Sequence, residues 1–126
     1  MSWEYQSIIG VLNYISGLSR PDIAYATHSA AIFSANPKSS HDKGVKRIIK
    51  YLKGTEENGL IIYPRNNKGL ECFVDADFAG GWSTNESDDP ASVYSRTGYI
   101  IKYNNCPILW ASKLKSEISL STTEDE

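Results

Sequence analysis

The chain has 126 residues, 40% of them hydrophobic and 22% charged, a globular composition that excludes a disordered tail. A formal charge of −2 excludes a chain-wide polycation, and no run of about 18 apolar residues is present to span a membrane. Residues 1–6 lack the basic start and apolar stretch of a signal peptide. Cys72 and Cys106, the only two cysteines, then read as free thiols, and the chain reads as an intracellular product.

Tyr5, Ile8, Ile9, Leu12 and Ile15 follow helical spacing and predict a first helix, with Ser2 as its cap and Gly17 as its stop. Ser19-Arg20-Pro21-Asp22 opens a second, because proline is accepted in a first turn and an acid suits the positive end of the helix dipole. That helix is expected to run through Ala30 and Phe33 and end near Asn36-Pro37. Ser39 or Ser40 with Asp42 opens a third helix, which Gly54 ends. Its Val45, Ile48, Ile49 and Leu52 form an apolar stripe. At about 100° per residue, Lys43, Lys46, Arg47, Lys50 and Lys53 fall on the other side. Residues 38–54 carry a balance of +5 and residues 55–126 one of −6, an asymmetry that suggests two parts with different electrostatic roles. Five cations without an intervening acid suit a phosphate backbone; a solvated helix face is the plainer alternative. His28 and His41 lack partners at metal-ligand spacing and read as ordinary helix residues.

The second half reads as extended. Residues 59–64 predict a short strand closed by Pro64, residues 65–69 a turn, and residues 70–75 a strand apolar enough to be central. A polar loop follows over residues 83–92. Residues 97–103 and 107–111 predict a hairpin whose Asn104-Asn105 turn requires positive φ at both positions. Cys72 is expected to face a packed layer and Cys106 to sit at the hairpin end. Tyr99, Ile100, Ile101, Ile108, Leu109 and Trp110 supply an apolar sheet face that is either exposed or covered by the helices. Residues 117–120 extend or follow the second strand, and Ser121-Thr122-Thr123-Glu124 matches a capping box, so a helix is expected to begin where the chain ends.

Asp75 and Asp77, two residues apart, share one side of their strand if it continues that far. Paired carboxylates repel unless a cation lies between them, and all-oxygen sites suit Mg²⁺; a solvated turn is the alternative. No histidine follows His41 to serve a serine or cysteine nucleophile, and no glycine-rich phosphate loop is present.

Three groups of residues carry a family resemblance: Tyr5-Gln6-Ser7-Ile8-Ile9-Gly10, Arg20-Pro21-Asp22-Ile23-Ala24-Tyr25, and Lys50-Tyr51-Leu52-Lys53-Gly54-Thr55. In this order they resemble the region joining reverse transcriptase to ribonuclease H in Ty1/copia-type retrotransposon Pol polyproteins. Val74-Asp75-Ala76-Asp77-Phe78-Ala79-Gly80, Arg96-Thr97-Gly98-Tyr99 and Ser121-Thr122-Thr123-Glu124-Asp125-Glu126 resemble the opening of that family's ribonuclease H. The resemblance implies an α+β fold, with a helical connection segment over residues 1–55. An incomplete ribonuclease H-like mixed sheet over residues 56–126 would follow. It implies hydrolysis of RNA in an RNA–DNA hybrid with two Mg²⁺ ions, Asp75 and Glu126 being catalytic and Asp75, Asp77 and Glu126 holding metal. The implied partners are RNA–DNA hybrid or duplex nucleic acid and the rest of the Pol polyprotein. The implied place is the cytoplasm, a virus-like particle or the nucleus. Phe78, Gly81 and Asp125 depart from the family pattern, and the later family aspartates would lie beyond Glu126. The chain therefore reads as a fragment inactive by itself. The alternatives are a relic module that binds nucleic acid without cleaving it and a structural piece that pairs through its sheet.

Overall fold

The computed structural model describes residues 4–77 and 96–114. They fall into two compact units, Met1–Ile61 and Ile62–Glu126. The first unit is helical: α1 spans Tyr5–Leu18, a 3₁₀ turn spans Pro21–Ile23, α2 spans Ala24–Ala31 and α3 spans Ser39–Gly54. Its core joins Tyr5, Ile9 and Leu12 of α1, Ile23 of the 3₁₀ turn, and Val45 and Ile48 of α3. These are the apolar positions that helical spacing selects. Polar ties add direction to the packing. The Tyr5 hydroxyl donates to the Ala30 carbonyl at 2.7 Å and Gln6 Nε2 donates to the Ser34 carbonyl at 3.1 Å, fastening the start of α1 to the end of α2.

The helix ends differ from expectation in ways local chemistry explains. Gly17 lies within α1, which ends at Leu18 with the Ser19 amide bonded to the Ile15 carbonyl. The predicted second helix splits into the 3₁₀ turn and α2, and α2 ends at Ala31 rather than near Asn36. Amides of Phe33, Ser34 and Asn36 bond three residues back, a tightening that often closes a helix, and Pro37 disfavours helical geometry at the residue before it. At the start of α3, Lys38 occupies the cap position expected of a serine, and its amide donates to His41 Nδ1 at 3.0 Å. Ser2, assigned as the cap of α1, lies outside the described residues.

The second unit holds β1 (Leu70–Asp77), β2 (Arg96–Tyr103) and β3 (Cys106–Leu114). The order is β1-β2-β3, and both pairings are antiparallel, so the parallel pairing of a mixed sheet does not occur among the described residues. Asn104 and Asn105 have φ of 45° and 69°, the left-handed pair that a two-residue hairpin needs to match strand twist. The turn also grips the entry to β1. Asn104 Oδ1 accepts the Gly69 amide at 3.0 Å, and the Asn104 carbonyl accepts the Arg65 amide at 3.1 Å. Gly69 has φ of 70°, where a side chain would be strained.

Three expectations need correction. Residues 59–64 form no strand; Ile61, Ile62 and Tyr63 are exposed, and Pro64 has no amide to offer a ladder. Among the described residues β1 pairs only with β2, which is the middle strand, whereas the apolar run of β1 suggested a central place. Cys72, expected to face a packed layer, is exposed on β1, while Cys106 lies at the hairpin end as expected and is buried there. Of the apolar sheet residues, Ile108 and Leu109 are exposed, and Tyr99, Ile100, Ile101 and Trp110 are half-buried. The expected loop over 83–92, the extension over 117–120 and the capping box at 121–124 lie outside the described residues.

Leu12, 3% exposed in the helical core, is expected to cost about 2–5 kcal/mol when cut to alanine. Val11→Ala, on the open face next to it, should change stability by less than about 0.5 kcal/mol. Urea unfolding followed by helical circular dichroism separates the two. For the thiols, the native chain should show one group reacting rapidly with a thiol reagent (Cys72), with Cys106 reacting only on unfolding.

Candidate nucleic-acid interface

Helix α3 is amphipathic because two periodicities run along it. Val45 and Ile48 are buried in the core, whereas Lys43, Lys46, Arg47, Lys50 and Lys53 are all exposed. The five cations form a ridge. Lys46 Nζ pairs with Asp42 Oδ2, one turn earlier, at 2.9 Å. None of Lys43, Arg47, Lys50 and Lys53 lies within ion-pairing distance of a carboxylate among the described residues. Four cations without internal counter-charges remain available to an external anion, which is the electrostatic condition for gripping a phosphate backbone. Lys53 sits in the last turn of α3, where a cation also meets the negative end of the helix dipole.

Beside this ridge runs a groove of about 500 Å³ between the 3₁₀ turn, α2 and α3, lined by Ala30, Phe33, His41, Gly44, Ile48 and Tyr51 among others. Arg47 lines it as well and therefore belongs to both ridge and groove. Phe33 and His41 stack with their ring centroids 3.8 Å apart and planes within 12°. The ring of His41, read from sequence as an ordinary helix residue, thus closes a wall and accepts the Lys38 amide that starts α3. Gly44 leaves open space at its α-carbon, since a Cβ there would meet nothing within 4 Å.

The end of α3 is pinned by a network spanning 35 residues of sequence. Arg20, 9% exposed, donates through Nε and Nη2 to the two oxygens of Asp22 at 3.1 and 2.9 Å. The same guanidinium donates to the Thr55 carbonyl at 3.1 Å and to Thr55 Oγ1 at 2.6 Å. The Tyr51 hydroxyl donates to Asp22 Oδ2 at 2.7 Å, and the guanidinium carbon of Arg20 lies 5.7 Å from the centre of the Tyr51 ring. A bidentate fork that also stacks on an aromatic ring is a role lysine cannot fill. The hydrogen bond from Arg20, aided by that from Tyr51, holds the Asp22 carboxyl down at about 2 against an ordinary 3.8, despite burial pulling the other way. The hydrogen bond that Tyr51 itself donates to Asp22 pushes the Tyr51 phenol up. Sequence spacing announced none of this. The only signal was that Arg20, Asp22, Tyr51 and Thr55 all fall inside motifs of the family resemblance.

The predicted carboxylate site is assembled only in part. β1 continues through Asp77, so Asp75 and Asp77 occupy alternate positions on one face of an edge strand, Asp75 opposite Gly98 and Asp77 opposite Arg96. Asp75 is exposed, and Glu126, together with Phe78, Gly81 and Asp125, lies outside the described residues. Among the described residues no group of three histidine, cysteine, aspartate or glutamate side chains converges on a point where a metal ion could sit. Two positions on one strand do not by themselves make the ligand cage of Mg²⁺, and Glu126, the third residue expected to hold it, lies outside the described residues.

The helical unit thus carries a basic ridge on α3, and the separate antiparallel sheet carries Asp75 and Asp77 two residues apart on β1. The chain is 37% identical over 123 residues to the retrovirus-related Pol polyprotein from transposon RE1 of Arabidopsis thaliana. It is likewise 37% identical over 122 residues to that from transposon TNT 1-94 of Nicotiana tabacum. Each alignment takes in 97–98% of this chain but only 8% of the relative. A third relative is short: secreted RxLR effector protein 161 of Plasmopara viticola, 34% identical over 122 residues, is covered over 80% of its length. No protein-family model and no solved structure matches the chain. Over nearly its whole length the chain is similar to a short segment of retrovirus-related transposon Pol polyproteins. No helix among the described residues is long and apolar enough to cross a membrane.

Because the Asp22 carboxyl is held below its ordinary value, its contribution to stability is full above the unfolded pKa and fades as pH falls from about 4 towards 2. Asp22→Asn should therefore melt at a lower temperature than the unaltered chain at pH 7. The gap should close progressively between pH 4 and pH 2. Thermal melts across that range provide the check; a gap independent of pH would show that the carboxylate charge is not what Arg20 and Tyr51 recognise.

Proposed function

We propose that this chain is a segment from the reverse transcriptase–ribonuclease H junction of a transposon Pol polyprotein. Its own activity is sequence-independent binding to RNA–DNA hybrid or duplex nucleic acid through the ridge on α3. The observation that carries this reading is the set of four exposed cations, Lys43, Arg47, Lys50 and Lys53, without carboxylate partners among the described residues. A row of cations on one helix face matches the regular spacing of phosphates and no particular base order. In the complete polyprotein, Asp75 and Asp77 are the carboxylates we assign to Mg²⁺, with Glu126 and residues beyond this segment. The two ions would supply hydrolysis of the RNA strand. The test of that assignment is hybrid cleavage by a polyprotein containing the segment, which Asp75→Asn should abolish.

A second reading, binding without catalysis as a free-standing module, is favoured by one observation. The segment makes up 80% of the short Plasmopara viticola relative, so its sequence also persists without the rest of a Pol polyprotein. The two readings share the ridge and differ in cleavage.

Engaging about four phosphates predicts a log–log salt dependence of duplex affinity with a slope near −3.6. Changing Lys43, Arg47, Lys50 and Lys53 together to glutamine should flatten that slope towards zero and weaken binding equally for all sequences. Fluorescence anisotropy with a labelled hybrid between about 50 and 200 mM salt measures both. An unchanged slope in the quadruple variant would place the binding surface elsewhere.

A further inference from the structure

The apolar groove beside the ridge is not needed for gripping duplex backbone, and its chemistry differs from that of the ridge. Three aromatic rings, Phe33, His41 and Tyr51, line it together with Ala30 and Ile48, and its one basic lining residue is Arg47. We infer that the groove between α2 and α3 holds an unpaired base of a single-stranded nucleic acid whose adjoining phosphates lie on Lys43, Arg47 and Lys50. The inference rests on the nucleic-acid reading of the ridge and extends it from duplex backbone to the recognition of single strands.

Four observations converge on this occupant. The groove's volume of about 500 Å³ lies within the range that accepts small planar ligands. Tyr51 is held rigidly for stacking, because its hydroxyl is bonded to Asp22 and Arg20 lies over its ring; a fixed aromatic surface loses little freedom when a base stacks on it. The acidic group in the lining, Asp22, is already paired with Arg20 and so presents little uncompensated charge to a phosphate. Finally, Arg47 stands on the lip common to groove and ridge. Lys43 precedes it and Lys50 follows it, about 6 Å and about 4.5 Å along the helix axis at 1.5 Å per residue. An apolar, aromatic trough with cations along one edge is complementary to a single strand, which offers bases on one side and phosphates on the other. A paired duplex presents only the phosphates, because its bases are stacked within.

Gly44 supplies the means of testing this without altering charge. It lines the groove, and a Cβ there meets nothing within 4 Å. Gly44→Leu should therefore fill the trough while favouring the helix. The 126-residue chain is titrated with an oligothymidine carrying one 2-aminopurine, and separately with a duplex. Helical circular dichroism verifies that each variant is folded. The expected result has three parts: 2-aminopurine emission changes on binding to the unaltered chain, Gly44→Leu binds the single strand about tenfold more weakly, and duplex affinity holds. Unaltered emission, or single-strand affinity that survives Gly44→Leu, overturns the groove inference while leaving the ridge intact. If changing Lys43, Arg47, Lys50 and Lys53 to glutamine leaves both ligands bound, the ridge fails and the groove inference fails with it. A groove that takes an apolar peptide instead would show as loss of peptide binding in Gly44→Leu with no change in 2-aminopurine emission.

Discussion

The guanidinium of Arg20 joins the turn before α2 to the residue that ends α3. It satisfies both oxygens of Asp22, the carbonyl and hydroxyl of Thr55, and lies over the ring of Tyr51. Taking a cation to 9% exposure is costly unless its donors find acceptors, and here they come from Asp22, two residues away, and from Thr55, 35 residues away. The orientation of α3 then follows. With its end held by Thr55 and its apolar stripe held by Val45 and Ile48 in the core, the cations must face outward and Tyr51 must line the groove. The ridge is thus a consequence of how the helix is anchored, not only of how its sequence alternates.

A second set of ties reinforces the first from the other end. Tyr5 and Gln6 reach across to carbonyls at the end of α2 and in the turn beyond it. The Tyr5 phenol is pushed up by burial and by the nearby Asp42 carboxylate, while Asp42 itself pairs with Lys46. Six of the residues that carry the resemblance to transposon polyproteins, Tyr5, Gln6, Arg20, Asp22, Tyr51 and Thr55, are therefore cross-braces. Tyr5, Gln6, Arg20 and Thr55 donate to main-chain carbonyls at or just beyond helix ends, while Asp22 and Tyr51 lock the Arg20 side chain in place. A resemblance that first looks like an index of enzymatic function is, in this unit, an index of helix geometry.

The sheet obeys different rules. Its hairpin is closed by two asparagines in left-handed geometry, and the same Asn104 side chain fixes the entry to β1. β1 nevertheless exposes Leu70, Phe73 and Val74, and among the described residues it is an edge whose amides and carbonyls could accept a further strand. Lys102, 5.3 Å from the centre of the Phe73 ring across the β1–β2 pair, provides a cation at that edge of the kind that discourages unspecific pairing.

Local sequence pattern was sufficient for α1, α3 and its polarity, and the β2–β3 hairpin, because each depends on contacts a few residues apart: a 3.6-residue stripe, or two residues that tolerate positive φ. Asp75 and Asp77 sharing a strand face was legible for the same reason. What sequence misplaced depends on partners distant along the chain. Residues 59–64 look like a strand, but a strand exists only where another offers its hydrogen bonds; among the described residues β1 pairs with β2 alone, and Cys72 on it is exposed. Nothing in the spacing of Arg20 and Thr55 indicates that they meet, and His41 becomes a groove wall only because α2 ends early enough to bring Phe33 against it. Composition and local geometry determined the elements and the charge on their faces. Tertiary structure alone decided which of those faces stand beside one another, because long-range packing chooses among the pairings that local propensity leaves equally open.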